Sequence, residues 1–358
     1  VRVGSASELG VNGSKVREFY ENNWNRRIPI MEQEYYNWNF AQAPLNRGED
    51  HCCVAVDSQG IVLGVMGLNE RTFIFRNEKL AAAELTTWIV APKGQNKGIG
   101  PAMLRYLQKR YDVLLGMGIT PMAVSIYLRH GFRYLNPVPR YMKVFDLNKV
   151  ENLAYTDKRT SKIHRYWRQN SVTSQVPYKT IEATDDIIEE VNSTFSSRAN
   201  CFARGATEMA WRYSRHPTYS YNVKIITNPN ESGSLAVLVY RLQDINDGVR
   251  IAHILDLFGD LPAMKSAVSF VETELPKLGV DFIDFYSTYG EHQGLFLSCG
   301  WFMLGSDSFF NFPHLFNPVE LRNPSSNSFV LWGRDGAESL FNFSSCYISK
   351  QDCDFDRP

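Results

Sequence analysis

Gln95-Asn96-Lys97-Gly98-Ile99-Gly100 lies between a strand-like run, Leu80 to Val90, and a stretch from Ile99 to Tyr111 in which Met103, Leu104, Leu107 and Tyr111 recur at helical spacing. A strand, a glycine loop and a helix in that order make an anion cradle. Successive backbone N–H groups turn toward one point, and the helix N-terminus adds the positive end of its dipole. Gly98 and Gly100 leave room for a diphosphate to approach the backbone, and Lys97 adds a solvent-screened charge. By itself such a loop also fits a plain strand-to-helix turn.

Outward from the loop, the pattern continues on both sides. Before it come a helical stretch from about Ser14 to Asn25, the aromatic segment Tyr35 to Phe40, and two strand-like runs, Cys52 to Val56 and Ile61 to Phe75. The two runs flank Asp57-Ser58-Gln59-Gly60, a hairpin signal. After the loop helix the chain reads as a buried strand, Asp112 to Ile119, a helix, Met122 to His130, and a final strand region, Arg133 to Phe145. The order β-β-β-α-β-α-β predicts an α/β fold, a mixed sheet flanked by helices.

The second half repeats the first. Trp38-x-Phe40 followed by Pro44 recurs as Trp211-x-Tyr213 followed by Pro217. Ala83-Glu84-Leu85 recurs as Leu255-Asp256-Leu257, and Leu128-Arg129-His130-Gly131-Phe132 as Leu297-Ser298-Cys299-Gly300-Trp301. Three matches in one order at nearly one offset predict tandem modules: 1–145, a polar connecting segment 146–176, and 177–358 with a C-terminal tail. Where the first module has its glycine loop, the second has Gly259-Asp260-Leu261-Pro262-Ala263-Met264, which makes no diphosphate cradle. One anion site per chain is therefore expected, with the loopless module shaping an acceptor site at the module boundary.

Glu84 precedes the loop on its strand, and Tyr127-Leu128-Arg129-His130-Gly131-Phe132 follows some thirty residues later. Over residues 80 to 135 the chain thus resembles the GNAT superfamily of acyl-CoA-dependent N-acyltransferases. That family carries (Gln/Arg)-x-x-Gly-x-(Gly/Ala) after its fourth strand and Tyr-x-x-x-Gly-Phe on a later helix. The first position here is Gln, and Thr120-Pro121-Met122 replaces the usual Asn opening the later helix. The resemblance implies tandem splayed sheets and acyl-coenzyme A as cosubstrate, bound at Gln95, Asn96, Lys97, Gly98, Ile99 and Gly100. It also implies that the backbone N–H of Trp88 polarises the thioester carbonyl and that Val90 bonds pantetheine. Tyr127 then lies near the sulfur, and Glu84 matches the general base of several members. The alternative for Glu84 is a carboxylate paired with an arginine. His51 and His130 are weaker candidates, His130 fitting a helix C-terminus.

For the acceptor, the run Trp211 to Pro217 supplies aromatic faces and the charged groups Arg212, Arg215 and His216, joined by Tyr35, Trp38 and Arg204. Trp38 and Trp211 equally fit core positions repeated with the fold. The layout resembles bacterial sugar N-acyltransferases, which implies the amino group of a nucleotide-linked (dTDP) amino-deoxy sugar as acceptor, for surface polysaccharide. A protein or small-amine N-acetyltransferase with the same cofactor, an aminoacyl-tRNA-dependent transferase and a non-catalytic acyl-CoA sensor are the alternatives.

Charge balance narrows these. Lys plus Arg and Asp plus Glu are both 38 in 358 residues, so no basic excess points to nucleic acid or an acidic membrane. The six cysteines have neither zinc-site nor disulfide-framework spacing and read as buried thiols; no metal is expected. No run of about 18 apolar residues and no signal pattern occurs, so the expectation is a cytoplasmic enzyme. Oligomeric state is left open by the sequence.

Overall fold

The computed structural model describes residues 1–150, 153, 155–156, 175–245, 248–304, 310–316, 319–321, 326–334 and 338–353. Most of the expected connecting segment 146–176, and the tail residues Asp354 to Pro358, fall outside them.

The first half runs β1 (Arg2–Ser5), α1 (Gly13–Asn23), β2 (Cys53–Val56), β3 (Val62–Phe75), β4 (Glu78–Val90), α2 (Ile99–Arg110), β5 (Val113–Met117), α3 (Pro121–Arg129), β6 (Arg133–Leu135) and β7 (Arg140–Val144). The hairpin between β2 and β3 turns as expected: the Asp57 carboxylate accepts the N–H groups of Gln59 and Ile61, both at 2.9 Å, and Gly60 takes φ +81°. The second half runs β8 (Lys179–Ile181), α4 (Asp185–Ser196), β9 (Asn222–Thr227), β10 (Leu235–Ile245), β11 (Val249–Gly259), α5 (Leu261–Glu274), β12 (Phe282–Tyr286), α6 (Gly290–Ser298), β13 (Phe302–Leu304) and β14 (Phe329–Gly333). None of the described helices is long and apolar enough to cross a membrane.

Two mixed sheets result, with one plan. The main path of the first is β1-β2-β3-β4-β5-β14-β6, and the second is β8-β9-β10-β11-β12-β7-β13. Within each path one pair is parallel, β4 with β5 and β11 with β12, and the others are antiparallel. The penultimate strand of each sheet comes from the other half. β7 pairs with β12 and β13, whereas β14 pairs with β5 and β6. The single strand region expected over Arg133 to Phe145 is therefore two strands in two sheets, and the sheets do not divide at residue 145. Each module's sheet is incomplete without a strand from its partner.

The register also revises one repeat match. Ala91 N–H bonds Leu63 O at the end of β4, and Asp260 N–H bonds Leu235 O at the end of β11, both at 2.9 Å. Glu84 stands opposite Asn69 and Leu115; the residue opposite the corresponding Arg241 and Asp284 is His253. The counterpart of Glu84 is thus His253, and that of Trp88 is Leu257. Each edge has a bulge, between Val65 and Gly67 and between Val239 and Tyr240, but the hairpin that joins Arg241 to His253 is three residues shorter than the one that joins Asn69 to Glu84, which makes the sequence match at Asp256 slip by three positions.

The halves meet at two matching π-helical turns, Asn37–Ala41 and Ala210–Ser214. Trp38 Nε1 donates to the carbonyl of Trp211, and Trp211 Nε1 donates to the carbonyl of Trp38, both at 2.9 Å. The rings stack with centroids 5.5 Å apart and planes at 24°. Identical bonds in both directions place a pseudo-two-fold axis between the indoles. Both rings are buried, which agrees with a core role rather than an acceptor contact.

A buried N–H···O bond whose donor is deleted leaves its acceptor unpaired, at a cost of about 1–3 kcal/mol. Trp38→Phe and Trp211→Phe should each lower the unfolding free energy by about that much. In a double-mutant cycle read by denaturant titration, the pair should couple by at least ~0.5 kcal/mol. Additive losses would mean that the two bonds do not act together.

Candidate active site

β4 and β5 pair from Ala82 to Leu85 only, and beyond Leu85 the strands part. In that opening β4 carries its bulge, Thr87 at φ +43°, a left-handed conformation that costs a β-branched residue energy. Tyr20 donates its hydroxyl to the Thr87 carbonyl at 2.9 Å and thereby fixes the bulge from α1. Trp88 follows, its indole lying 5.3 Å from the Tyr127 ring, which sits 4.9 Å from Phe132. A Cβ on Gly100 would come within 2.7 Å of that indole. Gly100 is therefore required by Trp88, whereas the expectation assigned its space to a diphosphate.

The loop itself keeps the expected shape. Asn96 and Gly98 take φ +60° and +72°, and a Cβ on Gly98 would meet nothing within 4 Å. Gly98 caps α2, whose first turn has no acidic residue and no side-chain cap. Among the described residues, no hydrogen bond within the chain uses the N–H groups of Asn96 to Gly100 outside the helix's own pattern. Gln95, Asn96, Lys97 and Gly98 are exposed, and the Ile99 side chain is buried in the core beneath them. The Gln95 amide reaches the Val90 carbonyl at 3.4 Å, tying loop to strand. This is an open set of donors at a helix start, and it fits a diphosphate. Tyr127 is 3% exposed, and burial raises its pKa, so the phenol stays protonated at neutral pH.

Glu84 is 2% exposed on the opposite face of β4. It lies 3.4 Å from Asn69 Nδ2 and 4.0 Å from Arg71 Nη1. Asn39 and Thr86 complete a buried polar stripe over β3 and β4, Asn69 Nδ2 standing 3.3 Å from Asn39 Oδ1. Asn39 Nδ2, Asn69 Oδ1, Thr86 Oγ1 and all three Arg71 guanidinium nitrogens are buried without hydrogen-bond partners among the described residues. Orphaned buried polar atoms cost about 1–3 kcal/mol each, so a cluster beside the opening marks a site for a polar molecule. None of Asn39, Asn69, Arg71 and Thr86 was singled out from sequence. Alternating polar residues on two adjacent strands were the available signal.

The expected acceptor residues divide. Arg204 is fully buried, bonding Asp256 at 3.1 Å and Asp352 at 2.5 Å, and Arg212 Nη2 donates to the Cys353 carbonyl at 2.5 Å. Both hold the C-terminal segment rather than line an open site, which corrects their expected place. Tyr35 and His216 pack around Trp38, with His216 centred 4.4 Å from its ring. His216 Nδ1 accepts the N–H groups of Thr218 and Tyr219, which places its proton on Nε2. Of the six, Arg215 is the exposed one, on a 420 Å³ cleft that it lines with Gln33, Glu34, Gln42 and an edge of the buried Trp38. A second cleft of 630 Å³ runs between Arg27 to Tyr35 and Pro217. His51 pairs with Glu70 at 2.8 Å, and His130 ends α3 as expected.

The corresponding place in the second module is filled by the chain itself. Leu257 N–H, the counterpart of the Trp88 N–H, donates to the Tyr347 hydroxyl at 2.9 Å, and that hydroxyl donates to Asp256. Asp260 stands where the diphosphate loop would begin, paired with Arg198 at 3.3 Å. Lys350 reaches both His253 Nδ1 and Asp284 at 3.0 Å. The six cysteines are buried free thiols, and no cluster of three or more His, Cys, Asp or Glu fit for a metal occurs among the described residues.

Residues 15–132 match the Acetyltransferase (GNAT) family. A search of curated proteins found no match. Among solved structures the chain is similar to a GCN5-related N-acetyltransferase from Anabaena variabilis, at TM-score 0.55 and 12% identity over 92% of this chain and 72% of that one. It is similar to a probable N-acyltransferase from Enterococcus faecalis, at 0.51 and 11% over 79% and 64%. Saccharomyces cerevisiae N-myristoyltransferase with bound myristoyl-CoA gives 0.50 and 11% over 92% and 82%. At these identities the likeness is one of fold, and it extends over both modules.

The second module's buried histidines set an acid limit on stability. Burial lowers His253 to about 4, helped by Lys350, and His292 to about 3. Unfolded histidine titrates near 6.5, so between pH 6.5 and 4 the unfolded chain binds more protons and stability falls with pH. Asp256, raised by burial to about 6, acts oppositely over pH 4 to 6, but one carboxyl does not outweigh two imidazoles. The melting temperature should drop between pH 6.5 and 4, and His292→Phe should flatten that drop by on the order of 3 kcal/mol. An unchanged slope would mean that His292 titrates freely in the folded chain.

Proposed function

We propose that this GNAT-type, acyl-CoA-dependent N-acyltransferase holds one acyl-CoA per chain, in the first module, and passes its acyl group to an amine that enters along the polar stripe of β3 and β4. The asymmetry between the modules carries this reading. Gly98 leaves its cradle open, whereas Tyr347 fills the matching backbone site of the second module and Asp260 puts negative charge where phosphate would lie.

In the first module Asn96 to Gly100 hold the diphosphate, and the opening beyond Leu85 receives the pantetheine arm beside Val90 and Trp88. The amine attacks the thioester carbon, the C–N bond forms, and the C–S bond breaks. Trp88 N–H steadies the carbonyl oxygen, Glu84 takes the amine proton, and the protonated Tyr127 returns one to the sulfur. A thiol near pKa 8.5 is already a fair leaving group, so Tyr127 has a modest part.

For the acceptor we retain the amino group of a nucleotide-linked amino-deoxy sugar for surface polysaccharide, entering between the modules with Arg215 at the mouth. A small cationic amine or a peptide amine is the second reading. Glu32 and Glu34 on the same clefts favour it, since they attract a cation and repel a diphosphate. Coenzyme A release with dTDP-linked aminosugars, polyamines and lysine peptides separates the two. Turnover confined to polyamines or peptides removes the nucleotide sugar.

Gly98→Val fills the cradle and adds strain at φ +72°, and should weaken coenzyme A binding at least ~100-fold by calorimetry. Lys97→Ala, which removes only an exposed charge, should cost about threefold. Tyr127→Phe should lower kcat about tenfold to a hundredfold with coenzyme A affinity unchanged. Retained affinity in Gly98→Val would place the diphosphate elsewhere.

A further inference from the structure

Glu84 stands at one end of a buried line of charge that crosses the molecule. Arg71 Nη1 is 4.0 Å from Glu84 Oε2, and Arg71 Nη2 is 3.7 Å from Asp352 Oδ1. Asp352 Oδ2 then meets Arg204 Nη2 at 2.5 Å, and Arg204 meets Asp256 at 3.1 Å. The line runs from β4 of the first module, through the C-terminal segment, to β11 of the second. All five groups are buried.

Arg71 is the link whose geometry is open. Its guanidinium lies over the Phe202 ring at 4.7 Å, with Trp211 at 5.9 Å, so aromatic faces hold its plane in place. Its nitrogens make no hydrogen bond among the described residues, and both carboxylate distances exceed hydrogen-bond length. The cation is shared between two anions and clamped by neither. Arg212, from the second π-helical turn, also faces Glu84, and Arg212 is itself engaged by the Cys353 carbonyl. Arg204 and Asp256 stand one and two links beyond Asp352.

We propose that Asp352 is a positioning residue for Glu84, acting through Arg71. This rests on the reading of Glu84 as the base. By drawing on one side of the guanidinium, Asp352 prevents a two-pronged Arg71–Glu84 pair, which would hold the Glu84 carboxylate against accepting a proton. Because Asp352 arrives with the C-terminal segment, docking of that segment completes the first module's site from the second module's side. The capping box in which Ser349 and Asp352 bond each other's backbone fixes the carboxylate in place.

The test is the pH dependence of kcat/KM in the full chain. Glu84→Gln should abolish the acid limb. Asp352→Asn frees Arg71 to pair with Glu84 and should move that limb down by about one pH unit, with a lower rate at neutral pH. Arg71→Met should move it up, opposite in sign, and Asp352→Glu should restore the wild-type limb. A limb unmoved by Asp352→Asn and by Arg71→Met, but lost in Glu84→Gln, overturns the inference and leaves the base reading intact. A limb that survives Glu84→Gln overturns both. A merely structural Asp352 would lower the melting temperature and the rate equally at every pH. If Asp352→Asn does not fold, Arg71→Lys and Arg71→Met decide the question, since each alters the link without unseating the Arg204–Asp352 pair.

Discussion

The reciprocal hydrogen bonds between Trp38 and Trp211 constrain everything else in this chain. An indole N–H buried in a core must find an acceptor, and each here finds the other's backbone. That is possible only where the two halves approach with two-fold symmetry at the π-helical turns. Once they are so placed, the strand following β6 lies beside the other sheet, and the exchange of β7 and β14 follows. Two modules with exchanged strands cannot part without breaking both sheets. The module boundary is thereby rigid enough to carry a site made from both sides.

Symmetry of fold then coexists with asymmetry of chemistry. Both sheets open at the same point, after Leu85 and after Ile254. In the first, a left-handed glycine and exposed N–H groups lie beside the opening. In the second, Tyr347 occupies the strand's N–H and Lys350 occupies the place opposite Glu84's counterpart. The C-terminal segment is thus an intramolecular occupant of the second opening. Its charged side chains compensate the groups that an unused slot leaves buried, and Asp352 extends that compensation to Arg71. A duplicated fold leaves one slot open, the one proposed for the cosubstrate, and fills the other with its own C-terminal segment.

Much of this was legible in the sequence, for stated reasons. The loop at Gln95 to Gly100 and the helix at Tyr127 to Phe132 report local backbone needs, which spacing reveals directly. The duplication was visible through Trp38 and Trp211, because a contact across a symmetry axis repeats its residues. The strand exchange was not, since β7 and β14 have the composition of any buried strand and sequence does not say which sheet they join. Asp256 appeared as the counterpart of Glu84 because the second module's hairpin is three residues shorter, a shift that only pairing exposes. Arg204 and Arg212 looked like ligand contacts because a lone arginine beside aromatics carries no mark of its partner. That partner was the tail, some 140 residues away in sequence. The polar stripe of Asn39, Asn69, Arg71 and Thr86 escaped notice because its members come from three separate elements.

One open slot and one filled slot distinguish the two modules. Equilibrium binding of coenzyme A to the intact chain, with stoichiometry read by calorimetry, tests this most directly. One coenzyme A per chain is the predicted result. Two per chain would show that the C-terminal segment does not occupy the second opening, and none would show that the Gly98 loop is only a turn.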